Sequence, residues 1–397
     1  MPRPSATTPS RKLRAMGTPA AALAAAILIA PIPALAQTDT FSRVSFSAWQ
    51  MYDANLFATP TSREPQADLI TRFGPTLEAG YLSVPLELDA RYEMQAERYV
   101  NHPDLDENLA RHDGTISLRY LPNERVRVSL NAQFVRTQNP AELNIQSQLS
   151  VGRAPAERRA FTSTASYKWS EATMISAGHT FGRDDMSGGF TSATHSLQIG
   201  LRRRTSDRSS YRIDYELRQV DFERGSPIVS HVITAGRSYS ITPRTGFEIV
   251  AGPRMTDDGT VRPEIMAALS RQLSWGELSL AFSRTQLTAV GEQGLIDAHR
   301  LVAAGRYRAA RRLTLAVTPA FTHNAQGDRR APVYSLDVES AFELNRRLSL
   351  AAWGRIARQD GMLSGPRDSI AAQSLGVKLL LTLPRSAGGD ATGRSPS

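Results

Sequence analysis

The chain contains no cysteine. That removes disulfide scaffolds, thiolate metal sites and cysteine nucleophiles together. It contains no run of 18 or more apolar residues, so a protein that crosses a bilayer on helices is excluded. Lysine is scarce: of the 47 basic residues only Lys12, Lys168 and Lys378 are not Arg. No basic tract is interleaved with aromatics, the pattern a nucleic-acid face requires. A length of 397 residues would ordinarily suggest two or three domains, and a mean hydropathy of −0.31 a soluble chain. The placement of the apolar residues argues otherwise.

Residues 1–36 have the order of a secretory leader. Arg3, Arg11, Lys12 and Arg14 form a basic start, residues 20–30 (AAALAAAILIA) an apolar segment, and Ala34-Leu-Ala36 a cleavage pattern ahead of Gln37. Eleven apolar residues are too few to span a bilayer as a helix. Removing the leader takes away four positive charges and no negative ones, so the formal charge falls from +9 to +5. That value does not call for a nucleic-acid partner.

From Arg43 to Leu383 the pattern has period 2. In residues 84–97, Val84, Leu86, Leu88, Ala90, Tyr92, Met94 and Ala96 alternate with Pro85, Glu87, Asp89, Arg91, Glu93, Gln95 and Glu97. Soluble strands average about 5–6 residues, whereas membrane-spanning strands need about 9–11 with this dyad pattern. Residues 126–134, 211–217 and 375–383 repeat the signature. Eighteen such segments fit between Arg43 and Leu383, with sixteen as the alternative count. Connections alternate too. Tight ones at 121–124, 169–172, 205–208, 242–245, 272–275 and 344–346 separate long polar ones at 101–110, 137–157, 182–189, 223–228, 255–259, 288–294, 323–331 and 359–368. Outer-membrane barrels combine short periplasmic turns with long extracellular loops. Tyr120, Trp169, Tyr211, Tyr239, Trp275, Tyr307 and Phe342 cluster at the tight-turn ends, where aromatic rings suit the headgroup level.

The expectation is an all-β, up-and-down antiparallel transmembrane barrel over residues 37–383. A leader (1–36) precedes it and a Gly/Ser/Pro/Arg-rich disordered periplasmic tail (384–397) follows. Both termini are expected on the periplasmic side of a Gram-negative outer membrane, among its lipids and lipopolysaccharide. Residues 37–42 leave no room for a plug, which counts against an energised 22-strand transporter. The chain does not end on the aromatic that such barrels commonly carry.

The first strand and loop carry a family likeness. Residues 45–57 (SFSAWQMYDANLF), then Ser62-Arg-Glu64 and residues 68–75, resemble a family of outer-membrane β-barrel porins. Members begin with a Tyr-Asp-x-Asn-aliphatic-Phe motif and often accompany exopolysaccharide biosynthesis genes. Tyr52, Asp53, Asn55, Leu56 and Phe57 match that motif. The resemblance implies a barrel connected with polysaccharide export, with polysaccharide and export machinery as partners. Read from the residues alone, the motif is a strand end with an aromatic rim and an Asp/Asn turn.

Charged residues of inward parity should line the lumen, because Arg or Lys on the lipid face costs about 2–4 kcal/mol at midplane. They are Glu87, Asp89, Arg91, Glu93, Arg127, Arg202, Arg212, Asp214, Glu216, Arg218, Arg284, Asp337, Glu339 and Arg355. Catalytic chemistry finds little support. His195 and Ser196 are adjacent and so face opposite sides. Asp297 and His299 have i, i+2 spacing for a rim pair, but the second acidic pair of an omptin-type protease, at Asp104 and Asp106, lies far round the barrel. His112, His179 and His195 share parity with apolar faces, which does not make a metal site. No catalytic, metal or cofactor site is expected. The reading is a porin-like passive conduit supporting exopolysaccharide secretion. A non-conducting structural or adhesive barrel closed by inward-folded loops, 137–157 above all, is the alternative, and a rim hydrolase a distant third.

Overall fold

The computed structural model describes residues 39–363, 368–383 and 386–387. The expected leader with its cleavage pattern at Ala36 and Gln37 lies outside them, as does the expected 384–397 tail apart from two residues. The strands are β1 (Asp39–Asp53), β2 (Asp68–Leu82), β3 (Leu86–Tyr99), β4 (Glu107–Asn123), β5 (Val126–Thr137), β6 (Ala156–Lys168), β7 (Thr173–Met186), β8 (Ser192–Ser206) and β9 (Ser209–Phe222). There follow β10 (Ile228–Thr242), β11 (Thr245–Thr256), β12 (Val261–Leu273), β13 (Gly276–Leu287), β14 (Ile296–Ala310), β15 (Leu313–Gln326), β16 (Arg329–Glu343), β17 (Leu348–Asp360) and β18 (Ser369–Thr382). Each is antiparallel to its sequence neighbours. The sheet closes because β1 pairs with both β2 and β18, so that Met51 faces Ile70 on one side and Gly376 on the other. A two-residue strand, β19 (Ser386–Ala387), adds to β1 at Ser42 and Phe41. The result is a closed 18-strand antiparallel barrel, as the alternation predicts. Closure pairs every strand on both sides, so the wall has no open edge.

The two faces of the wall sort as the dyad pattern requires. Outward stand Leu77, Ile116, Leu197, Ile199, Ile213, Ile249, Leu280, Leu301, Val338, Ile356, Leu375 and Val377, each at least 40% exposed. Aromatics end the band on the tight-turn side, where Trp275 packs edge-on against Tyr307 at 5.4 Å and Tyr167 against Trp169 at 6.4 Å. Arg237 stands between Tyr211 and Tyr239, its guanidinium 5.4 and 5.1 Å from their ring centres. At the opposite end a second belt is built largely from outward histidines. Its pairs are Tyr92–His112, Phe181–His195, Tyr215–His231 and His299–His323. Of these histidines the sequence places His112 and His195 on the apolar parity, without showing that they belong to a belt.

Strands of 12 to 17 residues exceed what a bilayer needs, and they shorten the connections. The 323–331 segment, expected as a long loop, is the meeting of β15 and β16 at Gly327-Asp328, where Gly327 has φ +56°, in the left-handed region that glycine enters freely. Of the 255–259 segment, residues 255 and 256 belong to β11, and the turn to β12 spans 257–260. Ladder hydrogen bonds need no lipid, so polar strands continue past the apolar band. Conversely β3 begins at Leu86 rather than Val84: Pro85 lacks an N–H, and Ser83 and Leu86 exchange backbone bonds of 2.7 and 3.3 Å across the turn.

A barrel wall has no interior of its own. The three apolar clusters of the described residues all form where long-end loops fold onto strand ends, around Leu149, Leu56 and Val290.

Candidate functional site

The connection between β5 and β6, residues 138–155, does not project outward. It folds into the lumen and reaches strands β14 to β17, which lie far round the wall from β5. A single 3-10 turn (Pro140–Glu142) opens it, capped by Asn139, whose Oδ1 accepts from the Ala141 N–H at 3.1 Å. Beyond the turn Leu143, Asn144, Ser147 and Leu149 are buried.

Charge holds the feet of this loop. Glu97 of β3 is fully buried and receives Arg72 of β2 at 2.7 Å and Arg153 of the loop at 2.9 Å. Tyr99 donates to the same carboxylate, and the Arg153 guanidinium lies 4.9 Å from the Tyr99 ring centre. Burial draws Arg153 below the ordinary arginine range, and the Glu97 charge opposes that shift. At the other foot Glu142 accepts from Arg72 at 3.0 Å and from Thr137 at 3.0 Å, and also pairs with Arg111. A buried carboxylate with two cations and a phenol is compensated; any one partner alone would leave a costly charge.

The tip is held by neutral hydrogen bonds. Gln148 donates to Ser335 at 3.1 Å and accepts from Thr322 at 3.3 Å. Asn324 donates to the Ser147 carbonyl at 2.9 Å, and the Ser150 N–H donates to Gln359 at 2.9 Å. Asn144 and Val290 exchange bonds of 3.1 and 2.8 Å, which ties the loop to the β13–β14 connection. Leu149, fully buried, packs with Ala289, Ile296, Ala331, Val333 and Leu363.

This strap divides the lumen at the long-loop end. One chamber, about 840 Å³, lies toward β6–β14, and the other, about 700 Å³, toward β1–β4 and β15–β18. Residues of the strap line both. The first contains Arg212, Asp214, Glu216 and Arg218, all expected in the lumen, with Arg158, Asp184, Glu264 and Arg300 beside them. Arg218 pairs with Glu216 at 2.9 Å and Glu264 at 3.4 Å; Arg212 pairs with Asp214 at 3.5 Å and Glu248 at 3.2 Å. The Arg300 Nε is buried with no hydrogen-bond partner among the described residues. The second chamber contains Glu93, Asp337, Glu339 and Arg355 of the expected set, with Trp49, Trp353 and Lys378. Nearer the tight turns, Glu87 and Asp89 share a recess with Arg119, and Arg127 and Arg202 another with Lys168 and Arg204. Arg91 reaches Glu78 at 3.8 Å and also pairs with Glu93.

Arg284 departs from the expectation. Its register partners are Ile265 and His299, which give it the outward parity, although it borders the first chamber. It shares that parity with Leu278, Leu280 and Phe282, and it borders the chamber where the β12–β13 ladder stops at the Ile265–Arg284 rung while both strands continue against their other neighbours. Arg254, Arg262 and Glu264 fill the parting. Arg254, 1% exposed, donates to Asp297 at 2.5 Å, and Arg262 pairs with the same carboxylate. Asp297 is thereby occupied, and His299 rests edge-on against His323 at 6.0 Å. The two are not assembled as a catalytic pair.

The Tyr52–Phe57 motif is an architectural device at the seam. Asp53 Oδ1 accepts from the Asn55 N–H at 3.0 Å, an Asx turn. Asn55 donates to the Thr59 and Ala371 carbonyls, both at 2.9 Å, and accepts from the Thr59 N–H at 2.7 Å, so one side chain ties the β1–β2 loop to β18. Leu56 buries itself against Met51, Ile70 and Tyr99. Phe57 packs edge-on against His102 at 5.3 Å, and Tyr52 faces outward at 41% exposure.

Parity alone could have added Arg72, Glu97 and Lys378 to the lumen set. The strap residues were beyond it, since their partners lie hundreds of residues away.

No protein-family model matches the chain, and no curated protein does. Solved structures similar to it include Pseudomonas aeruginosa OpdQ, with a TM-score of 0.49 and 10% identity over 87% of this chain and 98% of that one. P. aeruginosa OpdO also has a TM-score of 0.49 and 10% identity, over 88% and 98%. The siderophore receptor PirA of the same organism has 0.41 and 10%, over 86% and 80%.

Proposed function

We propose that the chain is an outer-membrane barrel that passes hydrophilic solutes by diffusion through its lumen, in support of exopolysaccharide secretion. One observation carries the conduit: an apolar exterior band surrounds a charged, chambered interior that the strap narrows on the way through. Only a lipid exterior and a water interior account for that inversion. In this reading the tight turns and both ends of the barrel chain are periplasmic, the long loops are extracellular, and the outward faces meet lipid and lipopolysaccharide. The mixed charges of the two chambers set solute preference. The link to polysaccharide rests on the Tyr52–Phe57 resemblance.

The chemistry needs no covalent step. Opposed cations and carboxylates replace part of a solute's hydration, and multiple weak contacts let it leave again. Proteoliposomes should swell in small sugars and progressively less as solute size rises; no swelling in any of them would refute the conduit. Deleting the gene should lower secreted polysaccharide, and unchanged secretion would remove that assignment while leaving the channel.

The strap also favours a second reading, a non-conducting surface barrel. It predicts no solute flux, and no gain of flux when residues 143–151 are deleted unless the strap is the seal.

A further inference from the structure

We infer that the second chamber holds a saccharide-binding site whose platform is Trp353. The inference rests on the reading of the lumen as a solute path and names the solute class for one of its two chambers.

Trp353 is on the inward face of β17, in a chamber whose lining also includes Trp49, Met51 and Leu56 among small and charged residues. Its neighbour across the ladder on β18 is Gly376. A Cβ there would meet Trp353 Nε1 at 2.9 Å and Cε2 at 3.1 Å, and the Gln50 carbonyl at 2.9 Å. The missing side chain therefore lets the indole settle against the backbone of β18, and the ring joins the chamber lining. Met51 and Leu56 support it from the apolar cluster at the β1–β2 seam. The indole Nε1 is buried with no partner among the described residues, so the ring is held by packing rather than by its polar atom. Trp49, the other lumen tryptophan, is different: the Lys378 ammonium lies 4.1 Å from its ring centre.

Polar groups flank the Trp353 ring on both sides. Glu339 faces it across the ladder on β16, and Asp337 and Arg355 pair at 3.7 Å one rung further. Lys378 stands on β18, two residues beyond Gly376. The lining thus offers an aromatic surface for the C–H face of a sugar ring, with a carboxylate acceptor and an ammonium donor at its edges for hydroxyls. A chamber of about 700 Å³ accommodates short saccharide segments. The opposed charges near the ring suit a neutral hexose unit better than a charged one. The first chamber has no tryptophan in its lining.

Calorimetry on the full chain in detergent, with maltohexaose and cellohexaose as probes, tests the site without requiring an open channel. At least one should bind, and Trp353→Ala should weaken it about tenfold, the loss of one well-packed aromatic contact. Trp353→Phe should recover part of the affinity, and Trp275→Ala, on the outward girdle, should leave it unchanged. Glu339→Gln should weaken binding while the protein's far-ultraviolet spectrum stays that of the parent. Binding of neither probe, or equal binding by the parent and Trp353→Ala, overturns the inference. A hexamer of uronic acids binding more tightly than both neutral probes overturns the assignment to neutral sugars. Saccharide binding by a protein that shows no flux would leave the site standing and remove the conduit, so the two failures are distinguishable.

Discussion

Leu149→Ala isolates the seating of the strap from the integrity of the wall. Leu149 belongs to no strand, is 0% exposed, and packs only where the strap tip meets β14–β17 and the loops beside them. Truncating a buried leucine costs about 2–5 kcal/mol, with the higher values where neighbours cannot collapse into the space. Here Ala289, Ala331 and Val333 are small and held by rigid strands or a pinned loop, which places the expected cost in the upper half of that range. Each 1.4 kcal/mol is a factor of ten, so the ratio of seated to unseated strap should fall by roughly 300-fold to 4,000-fold. The eighteen ladders are untouched, and the heat-denaturation temperature of the barrel should change little. Single-channel recording should then show brief excursions to a higher conductance, far more frequent than in the parent. Parent-like conductance and noise in Leu149→Ala, with tryptic cleavage at Arg153 no faster, would refute the claim that the seated strap forms the constriction.

Other perturbations follow from the same structure. Glu97→Gln leaves Arg72 and Arg153 facing each other without their shared counter-charge, a loss of about 3–5 kcal/mol for a buried pair; limited trypsinolysis should cut at Arg153 while the barrel core resists. Asn55→Ala removes three hydrogen bonds at the β1–β18 seam, at about 1 kcal/mol each, and should lower the thermal unfolding midpoint, whereas Tyr52→Phe should not. Arg300→Gln removes a first-chamber cation for which no ion pair forms among the described residues, and the reversal potential in a salt gradient should shift toward cation preference. Asp297→Asn should destabilise the long-loop end by removing the closer of Arg254's two carboxylate partners, Glu264 remaining at 3.6 Å, with no associated hydrolytic loss.

The wall was legible in the sequence and the lumen only half so. A two-residue period states which side chains share a face, and that is sufficient for strand number, closure and most of the charged lining, from Glu87 on β3 to Arg355 on β17. Arg284 has the outward parity of Leu278, Leu280 and Phe282 on its own strand, so the expectation of a lumen position misread that count. What parity cannot register is that β12 and β13 part at Ile265, which brings Arg284 to the border of the first chamber. Parity is also silent about loops. Residues 137–157 read as the longest candidate for a constriction, but nothing local shows that Asn144 will meet Val290 or Gln148 will meet Ser335. Those contacts exist because closing the sheet brings the β14–β17 wall within reach of the strap. The motif at Tyr52–Phe57 gained a physical meaning instead, since Asn55 bridges the first loop to the last strand and Leu56 seals beneath it. Trp353 was visible as a letter, but its use depends on Gly376, which only the β17–β18 register places against it.

The central claim is that water and ions cross this lumen past the seated strap. Purified full-length protein in a planar bilayer tests it most directly. The account predicts discrete, ohmic conductance steps, with larger steps when residues 143–151 are removed. A protein that inserts, as judged by its resistance to extraction, yet gives no steps in either form would contradict it.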